Sequence, residues 1–267
     1  MCGHAVTIHR ISSLHVDYMP SSRGSAGALE LRCAARKLGA RDGMFLASWC
    51  QTATRTSLTI RTGMDAKTHW ETVYRNKAPD AVSWYSPHLE TSLALIERAA
   101  GNKSASIIDV GGGESTLVDD LLARGYENIT VLDVSQVAIE VTKKRLGLAA
   151  DQVDWIARDI TQAELKRSSY DVWHDRAVFH FLGAIEQRVA YVRQVATAVR
   201  PGGYVIVSTF GPEGPTKCSG LEVIRYDAES LHAQFGMRFR LVESSKELHR
   251  TPFGTTQQFL YCYCKVE

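Results

Sequence analysis

The stretch IIDVGGGEST, residues 107–116, decides the fold of this chain. Apolar β-branched residues run into an aspartate and three consecutive glycines, a pattern typical of a buried strand that ends in a tight turn before a helix. Glycine allows positive φ and lets a ligand approach the main chain, and a helix that starts there offers free amide N–H groups. The stretch therefore predicts a binding loop. The alternative is a glycine turn that binds nothing, as many α/β proteins contain.

The segment 64–267 alternates strands and helices. Strands are predicted at 107–110, 129–132, 153–157, 171–174 and 204–209. Helices are predicted at 65–76, 86–100, 116–124, 135–146 and 184–200. This alternation predicts an α/β, Rossmann-like, doubly wound sheet that is mostly parallel. Two last strands, 239–248 and 256–265, follow each other without a helix of comparable length between them, so we expect a seven-stranded sheet with an antiparallel last strand pair.

Residues 1–63 differ in composition from the rest of the chain. They hold eight Lys or Arg against three acidic residues and show no sustained periodicity. We predict a basic, poorly ordered N-terminal extension, which is either upstream sequence from a start site placed too early or a targeting peptide, because acid-poor leaders rich in Arg and Ser are typical of organelle import. A functional basic arm is the third alternative. The folded domain is expected to cover 64–267.

Composition excludes several classes of protein. No run approaches the roughly 18 apolar residues of a spanning helix, so we expect no membrane insertion. The net charge of +2 does not favour a nucleic-acid partner. Cys218, Cys262 and Cys264 have neither a CxxC motif nor a histidine at ligand spacing, so we expect no metal site and a reduced, cytoplasmic protein, or an imported one if 1–63 is a leader. The oligomeric state stays open.

The residues after the glycines separate cofactor classes. The dinucleotide fingerprint needs a third glycine at position 116, where this chain has Thr116, and no Gly-Lys-Ser or Gly-Lys-Thr of a P-loop follows. Asp133, 20 residues after Gly113, ends the next strand, where a carboxylate can accept both hydrogen bonds from a ribose diol. The pattern indicates a nucleoside without requiring a phosphate.

An ordered set of motifs resembles the class I S-adenosylmethionine-dependent methyltransferases. The set consists of IIDVGGGES, VLDVS, ARDI, YDVWHDRAVFHFL and VRPGGYVIVS, and the resemblance covers most of 64–267. It departs from the family at Ser115, where many members have a third glycine. The resemblance implies S-adenosyl-L-methionine as the cofactor, a sulfonium whose fixed positive charge suits a site with three aspartates and no clustered lysines.

Site residues follow from the same resemblance. Asp109 would lie near the amino group of the cofactor, Asp133 would hold the ribose, and Asp159 the adenine amino group, although Asp159 could also only cap a short helix. The full set of expected cofactor-binding residues is Asp109, Gly111, Gly112, Gly113, Asp133, Val134, Asp159, Ile160, His174 and Trp84.

Catalysis of methyl transfer needs a positioned, desolvated nucleophile and, for some acceptors, removal of a proton. Asp175 follows the fourth strand, where it is predicted to orient or deprotonate the acceptor. His180 is a second candidate base, but a histidine flanked by Phe179 and Phe181 is more often a packed, hydrogen-bonded residue.

The acceptor is expected to lie beneath aromatic residues near the start of the domain. The predicted substrate-binding residues are Trp70, Tyr74, Arg176, Cys218 and His249. For Trp70 and Tyr74 the alternative is an amphipathic helix that buries its aromatic side chains, and for Cys218 it is a small buried filler.

Three functions remain open from the sequence. The motifs resemble a subgroup that includes the citrate-synthase lysine methyltransferase and bacterial small-molecule methyltransferases. We predict transfer to a small-molecule methyl acceptor, with thiols among the candidates. Protein-lysine methylation is the alternative, and it predicts an open acidic groove in place of an aromatic lid. A non-catalytic partner protein that binds S-adenosylmethionine is the third.

Overall fold

The computed structural model describes residues 65–267, so the predictions for 1–63 lie outside the described residues. The helices are α1 (Ala66–Asn76), α2 (Glu90–Ala100), α3 (Leu117–Ala123), α4 (Gln136–Leu146), α5 (Ile185–Ala198) and α6 (Ala228–Phe235). The strands are β1 (Ser106–Val110), β2 (Asn128–Asp133), β3 (Val153–Ala157), β4 (Tyr170–Arg176), β5 (Val199–Phe210), β6 (Lys217–Cys218), β7 (Leu221–Glu222), β8 (Phe239–Arg250) and β9 (Thr256–Val266).

Seven strands form one sheet in the order β3-β2-β1-β4-β5-β9-β8. The first five strands in this order, β3 to β5, are parallel to one another, and β9 runs antiparallel between β5 and β8. The strand order reverses between β1 and β4, where an open parallel sheet leaves a crevice beyond its carboxyl ends. The predicted fold class is confirmed, including the antiparallel last pair. The short strands β6 and β7 form a separate hairpin.

Two apolar layers cover the faces of the sheet. On one face, Trp173 and Val207 pack with Tyr191 of α5 and Phe235 of α6. On the other face, the core joins sheet residues to helices α2 and α3, and it includes Leu93, Ile96, Ile107, Leu117 and Ile206. Alternate residues of each inner strand therefore pack in opposite layers. The same alternation sets the direction of the side chains where the strands end.

Helix boundaries follow local capping, with two exceptions to the predictions. The Ser135 hydroxyl accepts the Ala138 N–H at 3.2 Å and starts α4 as predicted. The predicted start of α2 at residue 86 is wrong, because this helix begins at Glu90 and the Ser86 hydroxyl donates to the His88 carbonyl. Helix α6 was missed, although Asp227 and Ser230 form a capping box at its start.

Helix α1 lies across the carboxyl ends of the central strands. The Gln136 N–H at the start of α4 donates to Glu71 Oε1 of α1 at 2.9 Å, which ties the two helices together. In residues 65–267, no helix is both long and apolar enough to cross a membrane. The same range holds no cluster of three or more His, Cys, Asp or Glu side chains arranged to bind a metal.

Candidate active site

The glycine loop follows β1 and is closely packed from both sides. Gly111 has φ +73° and Gly113 has φ +36°, conformations that favour glycine. A Cβ at Gly111 would collide with Val178, and one at Gly112 would lie 2.6 Å from Asp109 Oδ2. The loop therefore requires glycine at these positions, and its main chain is open to a ligand.

Two cavities lie beyond the carboxyl ends of β1, β2 and β4. The loop cavity is lined by Tyr74, Pro79, Val82, Trp84, Tyr85, Ser86, Leu89, Asp109, Gly111, Gly112, Glu114, Ser115, His174 and Arg176. The lid cavity, of about 930 Å³ with its open mouth, is lined by Ala66, Trp70, Tyr74, Trp84, Val110, Gly111, Leu132, Asp133, Val134, Arg158, Asp159, Ile160, Arg176, Ala177, Val178, Phe181, Leu182, Gln187 and Cys218. Four residues, Tyr74, Trp84, Gly111 and Arg176, line both, so the two cavities form one bent cleft.

Asp133 lies at the end of β2, buried beneath the lid cavity. Its Oδ1 accepts the Ser135 N–H at 2.8 Å. Burial raises the pKa of Asp133 to about 7, with the Asp109 carboxylate adding to the rise. A ligand with two neighbouring hydroxyl groups would supply the missing donors and stabilise the charged carboxylate.

Asp159 and Ile160 stand at the far end of the lid cavity from the glycine loop. Asp159 Oδ1 accepts from the Thr161 N–H at 2.8 Å and from the Thr161 hydroxyl at 2.7 Å, so this carboxylate does cap the short turn after it. Both bonds use one oxygen. Ile160 and Val134 contribute apolar surface beside it. The two roles considered for Asp159, cap and cavity wall, are compatible in this geometry.

Asp109 ends a buried chain of hydrogen bonds behind the loop cavity. His174 Nδ1 lies 2.7 Å from Asp109 Oδ1, and its Nε2 lies 2.9 Å from the Ser92 hydroxyl. The Ser92 hydroxyl lies 3.1 Å from the hydroxyl of Tyr261. With the protons placed to satisfy every group, Tyr261 donates to Ser92, Ser92 to His174, and His174 to Asp109. This chain fixes the orientation of the Asp109 carboxylate.

Glu114 is a site residue that the sequence predictions did not include. Its side chain lines the loop cavity, and neither carboxylate oxygen has a hydrogen-bond partner within the described residues. Burial raises its pKa to about 7. Burying a charged carboxylate without a partner costs free energy, so this position favours a cationic ligand group. The signal was present in the quoted stretch, directly after the glycines.

An aromatic lid covers the junction of the two cavities. The Trp70 ring of α1 lies 5.7 Å from the Trp84 ring and 5.1 Å from the Phe181 ring, both edge to face. Tyr74, one turn further along α1, lies 5.9 Å from Trp70. These rings contact each other and also line the cleft, so the amphipathic-helix and lid interpretations of Trp70 and Tyr74 describe the same packing. Phe181 was expected only as a neighbour of His180.

Of the remaining predicted substrate residues, two line the lid cavity and one supports a segment beside it. Arg176 and Cys218 line the lid cavity. Burial raises the pKa of the Cys218 thiol to about 12, so it stays protonated at neutral pH. His249 lines neither cavity. Its Nε2 lies 2.9 Å from the Ser83 carbonyl, so it holds the segment that carries Trp84.

Asp175 and His180, the predicted catalytic residues, line neither cavity. The Asp175 carboxylate accepts the Val178 N–H at 2.8 Å, the Phe179 N–H at 3.1 Å and the Tyr191 hydroxyl at 2.6 Å. These bonds hold the turn after β4 in shape. The interpretation of Asp175 as a group that touches the acceptor is therefore corrected to a positioning role.

His180 lies inside the core of the domain and is fully buried. Its Nδ1 accepts the Phe210 N–H at 3.2 Å. Burial, and secondarily the Arg176 charge, lower its pKa to about 3. A histidine that stays neutral down to this pH is a poor general base, so the packed alternative describes it better.

The cleft fits a nucleoside that carries a positive charge and no phosphate. Four carboxylates stand along it, those of Asp109, Glu114, Asp133 and Asp159, against two arginines, Arg158 and Arg176, and no lysine occurs among its described lining residues. Gly111 and Gly112 line the loop cavity, and Glu114 offers unpartnered oxygens. Fold and site together resemble those of the class I S-adenosylmethionine-dependent methyltransferases.

Comparisons with known proteins agree with this class. A family model described as a methyltransferase domain matches residues 108–205. The eEF1A lysine and N-terminal methyltransferase of Mus musculus is 27% identical over 138 residues, 52% of this chain but only 19% of that protein. EEF1A lysine methyltransferase 2 of Homo sapiens is 22% identical, over 69% of this chain and 78% of its own. The chain thus spans about a fifth of the first relative's length.

A solved structure shows the same fold. It is the 1,6-didemethyltoxoflavin-N1-methyltransferase of Burkholderia thailandensis, with bound 1,6-didemethyltoxoflavin and S-adenosylhomocysteine. The two chains superpose with a TM-score of 0.58 at 17% identity, over 75% of this chain and 86% of the other. At this identity the likeness concerns the fold alone.

Cofactor affinity is expected to depend on pH. Asp133 and Glu114 each have a pKa raised to about 7, so each carries its proton at pH 6 and has lost it at pH 8. If Asp133 binds the ribose as predicted, hydrogen bonds from the ribose hydroxyls favour its charged form, so binding should release a proton. The affinity should therefore rise with pH, by about tenfold from pH 6 to 8 for one carboxylate. Calorimetric titration of the wild type and of Asp133→Asn measures this, and the variant should show the flatter dependence. An equally steep profile in the variant would contradict the assignment.

Proposed function

We propose that this protein transfers the methyl group of S-adenosylmethionine to a small-molecule acceptor by in-line displacement, with thiols among the candidate acceptors. The observation that carries the proposal is the aromatic lid, in which Trp70 packs on both Trp84 and Phe181 above the cleft. A covered, apolar acceptor end suits a compact molecule better than an extended protein segment, which needs an open groove.

Three groups of cleft residues correspond to the three parts of the cofactor. We assign the methionine part to the loop cavity, with Asp109 and Glu114 facing its ammonium and sulfonium charges. We assign the ribose to Asp133 and the adenine to Asp159 and Ile160. When bound, S-adenosylmethionine supplies an activated methyl group on a good leaving group.

The chain itself contributes position and exclusion of water. Trp70, Trp84 and Phe181 cover the junction where the two cavities meet, so an acceptor there loses water before it reacts. Asp175 holds the turn that carries Ala177 and Val178, which form the floor of this junction. Correct placement of an attacking atom within van der Waals reach of the methyl group accounts for much of the rate in such displacements. No covalent enzyme intermediate is needed.

The test is to supply methyl-labelled S-adenosylmethionine and a cell extract that has been split by size into small molecules and proteins. We expect a labelled product, separated from unreacted cofactor, in the small-molecule fraction. The same incubation with heat-inactivated enzyme should give no such product. Label confined to protein would contradict the proposal.

Protein-lysine methylation is the second candidate, and the named relatives favour it. Both the mouse and the human relative described above are lysine methyltransferases by name. This candidate predicts label on a discrete protein band in the same experiment, lost when the lysines of the extract are dimethylated beforehand.

Removal of the lid is expected to affect turnover more than cofactor binding. In Trp70→Ala, the acceptor end loses its cover and water enters, so we expect at least tenfold slower transfer to the small-molecule fraction and a loss of cofactor affinity of about 1 kcal/mol. Trp70→Phe, which keeps an aromatic ring against Phe181, serves as the matched control and should retain most of the activity. Equal rates for wild type and Trp70→Ala would show that the lid does not enclose the acceptor.

A further inference from the structure

Arg176, the last residue of β4, is a buried cation with incomplete pairing. Its side chain is 5% exposed. One terminal nitrogen donates to the Trp84 carbonyl at 3.2 Å, and the other lies 3.5 Å from Glu247 Oε1. Its Nε has no hydrogen-bond partner within the described residues. A close ion pair has N···O distances of about 2.7–2.9 Å, so the contact with Glu247 is weak.

The guanidinium is nevertheless held in place. Its Cζ lies 4.0 Å from the centre of the Phe259 ring, and Trp84 O fixes one end. A cation that is buried and fixed, but has a free donor, is arranged to receive an acceptor group from a ligand. Desolvation would otherwise leave the donor without compensation.

The position of Arg176 indicates which ligand this is. It lines both cavities at their junction, beneath Trp84. Its other contacts, Glu247 and Phe259, lie on β8 and β9, on the side of the cleft away from Asp133 and Asp159. The Arg176 charge also acts on the Cys218 thiol, where it partly offsets the rise in pKa that burial causes. Arg176 thus faces the acceptor end, and the four carboxylates of the cleft stand at the cofactor end.

We infer that Arg176 binds an anionic group of the methyl acceptor, so that the substrates of this enzyme are small molecules that carry a carboxylate or a comparable anion beside the methylated atom. The inference rests on the proposed function and narrows it to one charge class. A cationic acceptor would meet the guanidinium charge, which its weak contact with Glu247 at 3.5 Å offsets only in part, and this is unfavourable at a buried site.

The experiment divides the small-molecule extract by ion exchange into anionic, neutral and cationic fractions before the reaction. Each fraction is incubated with wild-type protein and methyl-labelled S-adenosylmethionine, and the transferred label is counted. We expect the anionic fraction to carry at least ten times the label of either other fraction. Label mainly in the neutral or cationic fraction would overturn the inference and leave the proposed function intact. No label in any of the three fractions, together with label on protein when the protein fraction of the extract is supplied, would overturn both.

Variants at Arg176 separate the acceptor from the cofactor. Arg176→Gln should lower transfer to the anionic fraction at least tenfold while the Kd for S-adenosylmethionine changes less than twofold, and Arg176→Lys, which keeps the charge but loses the planar fork, should fall between. Arg240→Gln, which alters an exposed arginine paired with Glu267, is the control and should behave as wild type. The cofactor Kd also reports whether each variant is folded.

A different outcome would assign the anion to the cofactor. The carboxylate of its methionine part has the same chemistry as the proposed acceptor group. If Arg176→Gln and Arg176→Lys both weaken cofactor binding tenfold or more and remain folded by circular dichroism, Arg176 binds that carboxylate and the inference is wrong. Unchanged transfer in Arg176→Gln would also overturn it.

Discussion

Asp175→Ala is expected to lower the free energy of unfolding by about 3–5 kcal/mol, the largest effect of any single substitution considered for this domain. The change leaves three donors without an acceptor, namely the partly buried N–H of Val178 and the buried Phe179 N–H and Tyr191 hydroxyl. Each buried donor that loses its partner costs about 1–3 kcal/mol. Urea unfolding followed by circular dichroism measures the change.

Two matched variants separate the contributions to this effect. Tyr191→Phe removes only the hydroxyl, which also accepts the buried Trp173 indole N–H at 2.9 Å, so it should cost about 1–3 kcal/mol, less than Asp175→Ala. Asp175→Asn keeps one oxygen acceptor and should also cost less than Asp175→Ala. A stable Asp175→Ala protein that binds cofactor normally and fails only in turnover would contradict the positioning role. It would restore the direct catalytic role that the sequence predicted.

Asp133→Ala is expected to weaken S-adenosylmethionine binding by about 1–3 kcal/mol, because the ribose hydroxyls lose charge-assisted hydrogen bonds in a buried site. The folded protein should tolerate the change well, since burial already raises the pKa of this carboxyl to about 7 and so disfavours its charged form in the absence of ligand. Isothermal titration of the two proteins with cofactor gives the difference.

The control for Asp133→Ala is an exposed aspartate on the neighbouring strand. Asp154→Ala of β3 removes the same charge at a solvent-exposed position outside both cavities and should bind cofactor as wild type does. Equal affinities for wild type and Asp133→Ala would show that the ribose lies elsewhere.

The sheet and the cofactor end of the cleft were predictable because their signals are local. Strand 107–110, the three glycines and the Ser135 cap each depend on a few consecutive residues. Asp133 could be placed because the carboxyl ends of parallel neighbours meet at one edge of the sheet. Its position at that edge, beside the lid cavity, agrees with the prediction.

The catalytic role predicted for Asp175 did not take into account that side chains alternate in direction along β4. Successive strand residues point to opposite faces, so His174 and Arg176 can line the cleft while Asp175 between them cannot. The burial of His180 depends in part on its packing against Phe210, 30 residues further along the chain, which comes close only after the fold forms. Such contacts are not visible in one sequence.

The acceptor end depends on long-range contacts for the same reason. Trp84, Arg176 and Glu247 belong to three separate parts of the chain and meet beside the cleft. Glu114, in contrast, is adjacent to the glycines and was passed over because its burial without a partner is a property of the folded cleft. The sequence could therefore indicate the cofactor class, whereas the charge preference of the acceptor end required the structure.

The most direct test of the account is a crystal structure of the complete chain with S-adenosylhomocysteine. We expect the ribose hydroxyls within hydrogen-bond distance of Asp133, the amino group beside Asp109 and Glu114, and the sulfur at the junction under Trp84, facing Phe181. A cofactor bound outside the two cavities, or one whose sulfur points away from the aromatic lid, would contradict the account.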